Sequence, residues 1–409
     1  MRTRAAVPTR AAADAAAVLL GDSMDLACTL RAAGARVSVV AGPHAPARFS
    51  RHRLRWQLDP RPGDARLVRL LSEHAGRSGP SVLIYENDRD LLFASRHREE
   101  LADGPRVLLP EHELVEELVD KGAFGRRAEQ LGLCVPPGEV LEVDGRPLRP
   151  GIRFPVLVKP CFRDRRWIAQ AQGQKAFLVH GASELDAFLA RLAGSCPAVV
   201  LQSYVPGGEH RVESYHVYVD AAGEVAAEFT GRKIRTSPAA NGFSTALVTT
   251  ARTDVRDMGR DAVRALGLVG VAKLDFKRDP DGRLWLLEVN PRFNLWHRLG
   301  AAAGVNIPEL VMADLLGRPR PSPPAVHPGV AWCHVPKDLL AARAVGIPVT
   351  RWVQWARTCD ATGGLDLTDP FPFVLGKVAP RLRARLRPRQ AVSSPANGAA
   401  LEPPGVVGV

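Results

Sequence analysis

The stretch Leu286–Asn294, "LLEVNPRFN", decides how the rest of the chain is read. Its apolar residues read as a buried strand, yet that strand presents Glu288, skips Val289 and presents Asn290. Pro291 then removes a ladder donor and stops the strand, and Arg292 follows at once. Packing has no use for a carboxylate and an amide side by side on one strand face, so both read as ligands.

The partner strand lies just upstream. "GVAKLDFKRDPDGRLWLLEVNP" holds two strands joined by Asp279-Pro280-Asp281-Gly282, strong turn chemistry. With those four residues as the loop, Arg278 faces Arg283, Phe276 faces Trp285, Leu274 faces Leu287 and Ala272 faces Val289. One face is then apolar, and the other carries Lys273, Asp275, Lys277, Leu286, Glu288 and Asn290. A slip of one residue would bury Glu288, so the hydrophobic pattern selects the register that joins Asp275, Glu288 and Asn290. Two carboxylates and an amide oxygen suit Mg²⁺, which takes one or two carboxylates and fills its other positions with water and substrate phosphates. The competing reading is a surface salt ladder with the interleaved lysines, which contributes little. It gives Asn290-Pro291-Arg292 no role.

Further upstream, "FPVLVKP" places Lys159 at the end of an apolar strand and "GQKAFLV" places Lys175 at the start of another. Such lysines can serve as point charges on nucleotide phosphates, although a strand-end lysine is ordinarily just solvated. "AVVLQSYVPGGEHRVESYHVYVD" reads as strand, bend, strand. The backbone of Gln202, Ser203, Tyr204 and Val205 could read a base edge, and Glu209 could meet a ribose.

Taken in order, "VLVKP", "GQKAFLV", "LQSYVPGGEH", "LDFKRDPDG" and "LLEVNPRFN" resemble the ATP-grasp superfamily, over about Leu118 to Gly317. "FTGRKIRTSPAANGFSTA", "GLVGVAKLDFKRDPDG" and "AGVNIPELVMADLLG" look most like predicted carboxylate–amine ligases resembling carbamoyl-phosphate synthase large subunits. The resemblance implies that Lys159 and Lys175 hold ATP phosphates, that Gln202 to Val205 form the adenine hinge, and that Glu209 binds the ribose. It implies that Asp275, Glu288 and Asn290 hold Mg²⁺, for which Mn²⁺ could substitute. Arg292 would sit over the transferred phosphoryl, with Arg232, Lys233 and Arg235 along the triphosphate and substrate side. Many members have Glu where this chain has Gln202, and the loop "CFRDRRWIAQAQGQ" has one glycine, Gly173. The activity implied is phosphoryl transfer from ATP to a carboxylate, then attack on the acyl phosphate by an amine. "RTSPAANGFS", with Gly242, reads as a closing loop over that site, and His216 and His297 as structural or substrate-lining.

Ahead of this region, "AVLLG", "DLACTLRAAG" and "RVSVVAG" read as strand, helix and strand of an open parallel sheet, and "SVLIY" as a further strand. "GDSMD" is not a dinucleotide fingerprint. The loop after Tyr85 makes Glu86 and Asp88 ligand candidates, with a helix N-cap the favoured role for Asp88. "PEHELVEELVDKGAFGRRAEQLGL" reads as one or two helices around a Lys-Gly break, and "DGRPLRPG" as a turn region. The fold class expected is therefore multidomain α/β and α+β: a Rossmann-like N-domain before a two-lobed ATP-grasp fold with antiparallel sheets.

The expected division is a disordered leader at 1–14, a pre-grasp domain at 15–110 and an ATP-grasp domain at 111–318, its nucleotide lobe at about 111–200 and its metal and substrate lobe at about 201–318. A proline-rich linker at 319–329, a C-terminal segment at 330–390 and a disordered tail at 391–409 follow. In the 409 residues no apolar run is long enough for a transmembrane helix, and Asp14 argues against a transit peptide. The six cysteines lack metal or disulfide spacing and read as cytosolic thiols, which places the chain in the cytoplasm. The net charge of +12 suits phosphate-bearing ligands, nucleic acid or acidic membranes. A nucleic-acid or membrane binder using "RLRARLRPRQ" leaves Asp275, Glu288 and Asn290 unexplained, and a degenerate scaffold would not keep all three. A kinase-like ATP-grasp phosphotransferase is the remaining alternative. The partners expected are a small carboxylate and a small amine, and a homodimer is compatible with this reading.

Overall fold

The structure is a computed structural model that describes residues 15–52, 54–59, 63–143, 151–162, 167, 174–192, 196–322, 325–366 and 368–386. The expected leader and tail, most of the loop containing Gly173, and most of "DGRPLRPG" lie outside these residues.

β1 (Ala16–Leu20) is buried along its whole length, as a strand covered on both faces must be. Ser23 caps α1 (Met24–Ala32) by accepting from the Leu26 amide, and Gly34 turns the chain at φ 79° into β2 (Arg36–Ala41). β3 (Arg55–Leu58), α2 (Asp64–Ser78) and β4 (Ser81–Tyr85) complete a parallel sheet of order β3-β2-β1-β4. β3 and α2 were not legible beforehand, because "RWQL" is too short and too polar to show a strand period. α3 (Asp88–Arg96) follows β4 directly.

α4 (His112–Val119) and α5 (Lys121–Gln130) break at Asp120, just before the expected Lys-Gly break. The Asp120 carboxylate caps α5 by accepting from the Gly122 and Ala123 amides at 2.7 and 2.8 Å. The small lobe then forms an antiparallel sheet of order β5-β8-β6-β7, from β5 (Gly138–Glu142), β6 (Val156–Pro160), β7 (Phe177–Val179) and β8 (Ala198–Ser203). Val156, Val158 and Leu201 pack with Trp167 and with Phe188 of α6 (Ala182–Leu192). Strand alternation leaves Leu157 and Lys159 on the opposite face, toward the cavity described below.

The large lobe is a seven-stranded sheet of order β13-β12-β9-β10-β11-β14-β15. β9 (Val212–Val219), β10 (Val225–Ser237) and β11 (Phe243–Thr250) are joined by β12 (Gly270–Arg278) and β13 (Leu284–Asn290). α7 (Thr253–Leu266) packs closely on β9: a Cβ on Gly259 would fall 2.3 Å from the Tyr215 ring.

The β12–β13 register differs from the expected one. Asp275 pairs with Glu288 and Lys273 with Asn290, whereas Phe276 pairs with Leu286 and Arg278 with Leu284. Leu287 is the extra residue of a β-bulge, which strict alternation could not foresee. The bulge breaks the period: Leu286 joins Leu274, Phe276 and Val289 in the core, while Leu287 and Glu288 both line the cavity. Leu286 is therefore not on the charged face.

After α8 (Trp296–Ala302) and α9 (Ile307–Leu315), the C-terminal segment rejoins the large sheet. β14 (Ala331–His334) pairs with β11, and β15 (Ala361–Gly363) pairs with β14. Asp338 on α10 (Val335–Ala344), fully buried, accepts from Arg235, Thr245 and Trp352 of α11 (Val349–Ala356). Asp369 accepts from the Ser50 hydroxyl at 2.6 Å and tethers this segment to the N-domain.

Candidate active site

A cavity of ≈220 Å³ lies between the two lobes, and a second of ≈330 Å³ adjoins it across Lys121, Lys159, Gln202, Leu287 and Glu288. Five lysines and one arginine line the first against four carboxylates, which leaves a net positive site suited to a polyphosphate.

Lys159 reaches in from β6 and donates to Gln202 Oε1 at 2.6 Å. Burial pushes its ammonium down to about 8; Lys121, Lys277 and Lys233 add to the shift and Glu288 opposes it. Lys175 precedes β7 and lies over the Phe243 ring, 4.3 Å from the centroid, so the small lobe touches the large one across the cavity. Burial lowers it to about 8 as well, against the pull of Glu288. An added anion beside either lysine would favour its charged form and raise it again.

The hinge follows β8. The Ser203 and Tyr204 amides are taken by the Pro137 and Pro155 carbonyls, at 2.8 and 3.1 Å. Val205 lines the cavity, and among the described residues its amide has no backbone partner. Tyr204 lies instead beneath the Lys277 ammonium, 4.9 Å from its ring centroid. Glu209 lines the cavity, accepting from Lys233 at 3.3 Å and from the Asn241 amide at 3.1 Å. That second bond closes the loop 236–242 over the site. Gly242 is required there, since a Cβ would fall 2.0 Å from the Pro238 carbonyl oxygen.

Asp275, Glu288 and Asn290 share one face of the hairpin and all line the cavity. Lys273 donates to Asp275 at 2.6 Å, and the Ser214 hydroxyl donates to the other oxygen. Burial would raise the Glu288 carboxyl, but Lys273, Lys175 and Lys121 outweigh it and hold the group well below the usual carboxylate range. Among the described residues no three His, Cys, Asp or Glu side chains converge, and the Asn290 amide stands beside the two carboxylates as a third oxygen donor. Two carboxylates and an amide facing a cationic cavity fit a Mg²⁺ whose remaining ligands come from phosphates and water.

Arg292 joins this set to the N-domain. Its Nε donates to Asp88 Oδ1 at 2.5 Å, one Nη to the Glu86 carbonyl at 2.9 Å and the other to Asn290 Oδ1 at 3.2 Å. Asp88 is thus not the N-cap expected of it: Asn87 caps α3, and Asp88 stands in the first turn, free to meet Arg292. Burial pushes the Glu86 carboxyl up to about 7, with Asp25 and Asp22 adding to the shift and Ser23 and Arg292 opposing it.

The remaining basic residues divide. Lys233 lines the cavity, whereas Arg232, next to it on β10, stands opposite Glu213 and does not. Arg235 lies beyond a bulge in β10 and forks onto Asp338 at 2.9 and 2.6 Å, stacked over Trp355 at 4.0 Å. The structure therefore brings neither Arg232 nor Arg235 to the cavity. Lys121 lines both cavities and was missed; its signal is the Asp120-Lys121 pair, a cap that orients the first residue of α5. His216 and His297 are fully buried, and His216 stacks on Phe229 with centroids 4.4 Å apart.

A small antiparallel lobe and a larger mixed sheet, closing on one cationic cavity with an oxygen-donor hairpin at its base, define the class of fold: the chain has the ATP-grasp fold. Within it, the family described as "ATP-grasp in the biosynthetic pathway with Ter operon" matches residues 195–337. The chain is 25% identical over 260 residues to a D-aspartate ligase of Enterococcus faecium, covering 61% of this chain and 62% of that protein. It is 29% identical over 217 residues to a D-alanine–D-alanine ligase of Halorhodospira halophila, covering 49% and 66%. In structure it is similar to the ADP complex of an N5-carboxyaminoimidazole ribonucleotide synthetase, with a TM-score of 0.63 at 16% identity, over 84% of this chain and 86% of that one. The chain spans less than two thirds of the length of the curated relatives it matches. Among the described residues no helix is long and apolar enough to cross a membrane.

Proposed function

We propose that this chain is an ATP-dependent ligase that joins a carboxylate to an amine through an acyl phosphate, releasing ADP and phosphate. The observation that carries this reading is the meeting of Lys159, Lys175, the Asp275–Glu288–Asn290 face and Arg292 on one cavity. Asp275, Glu288 and Asn290 would hold Mg²⁺, or Mn²⁺ in its place, which when bound supplies charge neutralisation at the phosphates. Lys121, Lys159 and Lys175 bind the phosphates as fixed cations, and the hinge at Val205 meets the base. Arg292 lies against the metal ligands and grips the phosphoryl oxygens while the substrate carboxylate attacks the phosphorus and ADP leaves with the electron pair of the broken P–O bond. Phe243, Asn241 and Gly242 cover the cavity and keep water from the acyl phosphate.

The likeness to carbamoyl-phosphate-synthase-like ligases belongs to the same reading and is supported by the three segments quoted above. So do cytoplasmic action on small molecules and assembly as a homodimer. Screening acid–amine pairs for ADP release, with mass analysis of the product, tests the proposal. Ligation gives an amide of the two. A phosphorylated acid or alcohol, with no amide, would favour the phosphotransferase instead.

A further inference from the structure

Three consecutive helical pieces, Phe371–Phe373, Val374–Val378 and Ala379–Leu386, carry the C-terminal segment past the N-domain. One side is docked there: Pro372 is buried, and a Cβ on Gly376 would fall 2.8 Å from the Pro46 Cα. Phe371, Val374, Leu375 and Leu382 are left in solvent, 42–52% exposed. Four large apolar side chains along one short run are more than scattered surface residues, and such a patch marks an interaction surface.

Cations border the same run. Lys377 and Arg381 belong to it, and with Lys337, from the first turn of α10, they line a cleft of ≈520 Å³. Among the described residues none of the three forms an ion pair, and Asp22 is the one carboxylate lining the cleft. Burial and the like charge of Lys377 depress the Lys337 ammonium against the pull of Asp22, Asp25 and Glu86, so the cleft is short of anions. Leu340, one turn beyond Lys337 and also exposed, adds to the apolar border. The cleft shares no lining residue with the nucleotide cavity.

Apolar side chains and unpaired cations side by side select the occupant. Nucleic acid would engage the cations but has no use for the apolar run. A second copy would bring the same cations against these. The chain's own end continues with Arg387 and Arg389 and is repelled in the same way. Anionic headgroups above acyl chains satisfy both features at once.

We propose that this face docks on an anionic lipid bilayer: Phe371, Val374, Leu375 and Leu382 lie at the boundary of headgroups and acyl chains, and Lys337, Lys377 and Arg381 take lipid phosphates. The helical run lies on the membrane rather than across it, and the nucleotide cavity takes no part in the contact. Vesicle flotation on the full chain compares phosphatidylcholine alone with an equimolar mixture of phosphatidylcholine and phosphatidylglycerol. The chain is expected to float with the mixed vesicles and not with phosphatidylcholine, and rising salt weakens the binding. Lys337→Ala/Lys377→Ala/Arg381→Ala should lose roughly a hundredfold of that affinity, and Phe371→Ser/Leu375→Ser/Leu382→Ser roughly tenfold. Both variants keep the ATP binding and the thermal midpoint of the wild type, because none of these residues lines the nucleotide cavity and the three apolar ones face solvent. No flotation with the mixed vesicles, equal flotation with phosphatidylcholine, or undiminished flotation of either variant would overturn the proposal. So would capture of a duplex RNA, or dimerisation abolished by the apolar variant, in a chain that leaves the vesicles alone.

Discussion

The guanidinium of Arg292, just past the β12–β13 hairpin, is held by the carboxylate of Asp88, which belongs to the N-terminal domain, at 2.5 Å. The same guanidinium touches Asn290, so one side chain couples the domain interface to the oxygen-donor set. Arg292→Lys keeps the charge but loses the fork. We expect kcat to fall by about a hundredfold, as when one transition-state donor is removed, with little change in KM for ATP. Asp88→Asn should produce a smaller fall of the same kind, since the arginine keeps its bonds to Glu86 and Asn290. Steady-state kinetics check both, and wild-type kcat in Arg292→Lys would remove it from the mechanism.

Glu288→Gln should abolish Mg²⁺-dependent ADP release while the fold persists. Three lysines hold this carboxylate ionised, so its loss leaves their repulsion uncompensated and should lower the thermal midpoint of the nucleotide-free protein. The decisive readout is thermal: ATP with Mg²⁺ raises the midpoint of the wild type more than ATP alone, and that difference should vanish in the variant. A retained Mg²⁺-dependent increment would contradict the metal assignment.

Nucleotide affinity should depend on pH through Lys159. Its ammonium is lowered to about 8, so the group is charged at pH 7 and loses its proton as pH rises through 8. Phosphate pairs with the charged form and raises its pKa, so affinity is full below pH 7 and declines above 8, and binding near pH 8 takes up a proton. Calorimetry in buffers of different ionisation enthalpy detects that uptake. Lys159→Ala should reduce the uptake to the share that Lys175 contributes and lose about 1.5–3 kcal/mol of ATP binding. An affinity constant from pH 7 to 9 would contradict the assignment.

Asp338 is wholly buried and satisfied by Arg235, Thr245 and Trp352, so Asp338→Ala should destabilise strongly. Removing one partner of a buried ion pair costs about 3–5 kcal/mol, because the other charge is left unpaired. Chemical denaturation measures it, and Asp338→Asn/Arg235→Gln should recover part of the loss. A change under about 1 kcal/mol in Asp338→Ala would show that the C-terminal segment is not integral to the large sheet.

The parallel sheet at β1, β2 and β4 was legible because each strand is apolar and closed by turn residues. The face that joins Asp275, Glu288 and Asn290 on the cavity was legible because Glu288 and Asn290 keep a two-residue period up to Pro291. What failed was whatever depended on distant residues. The Leu287 bulge moved Leu286 into the core, since packing against Leu274 and Phe276 outweighed alternation. Arg235 is spent on Asp338, about a hundred residues away in sequence, and Asp88 on Arg292, two hundred away. No local pattern announces either pair.

The central claim is that a substrate carboxylate takes the phosphoryl group and then yields it to an amine's attack. If so, one carboxylate oxygen leaves with the phosphate. The most direct test supplies the acid found by ADP-release screening with oxygen-18 in its carboxylate, together with ATP, Mg²⁺ and the amine. The account predicts amide formation with one labelled oxygen in each inorganic phosphate released. Unlabelled phosphate, or a stable phosphorylated product in place of the amide, would contradict it.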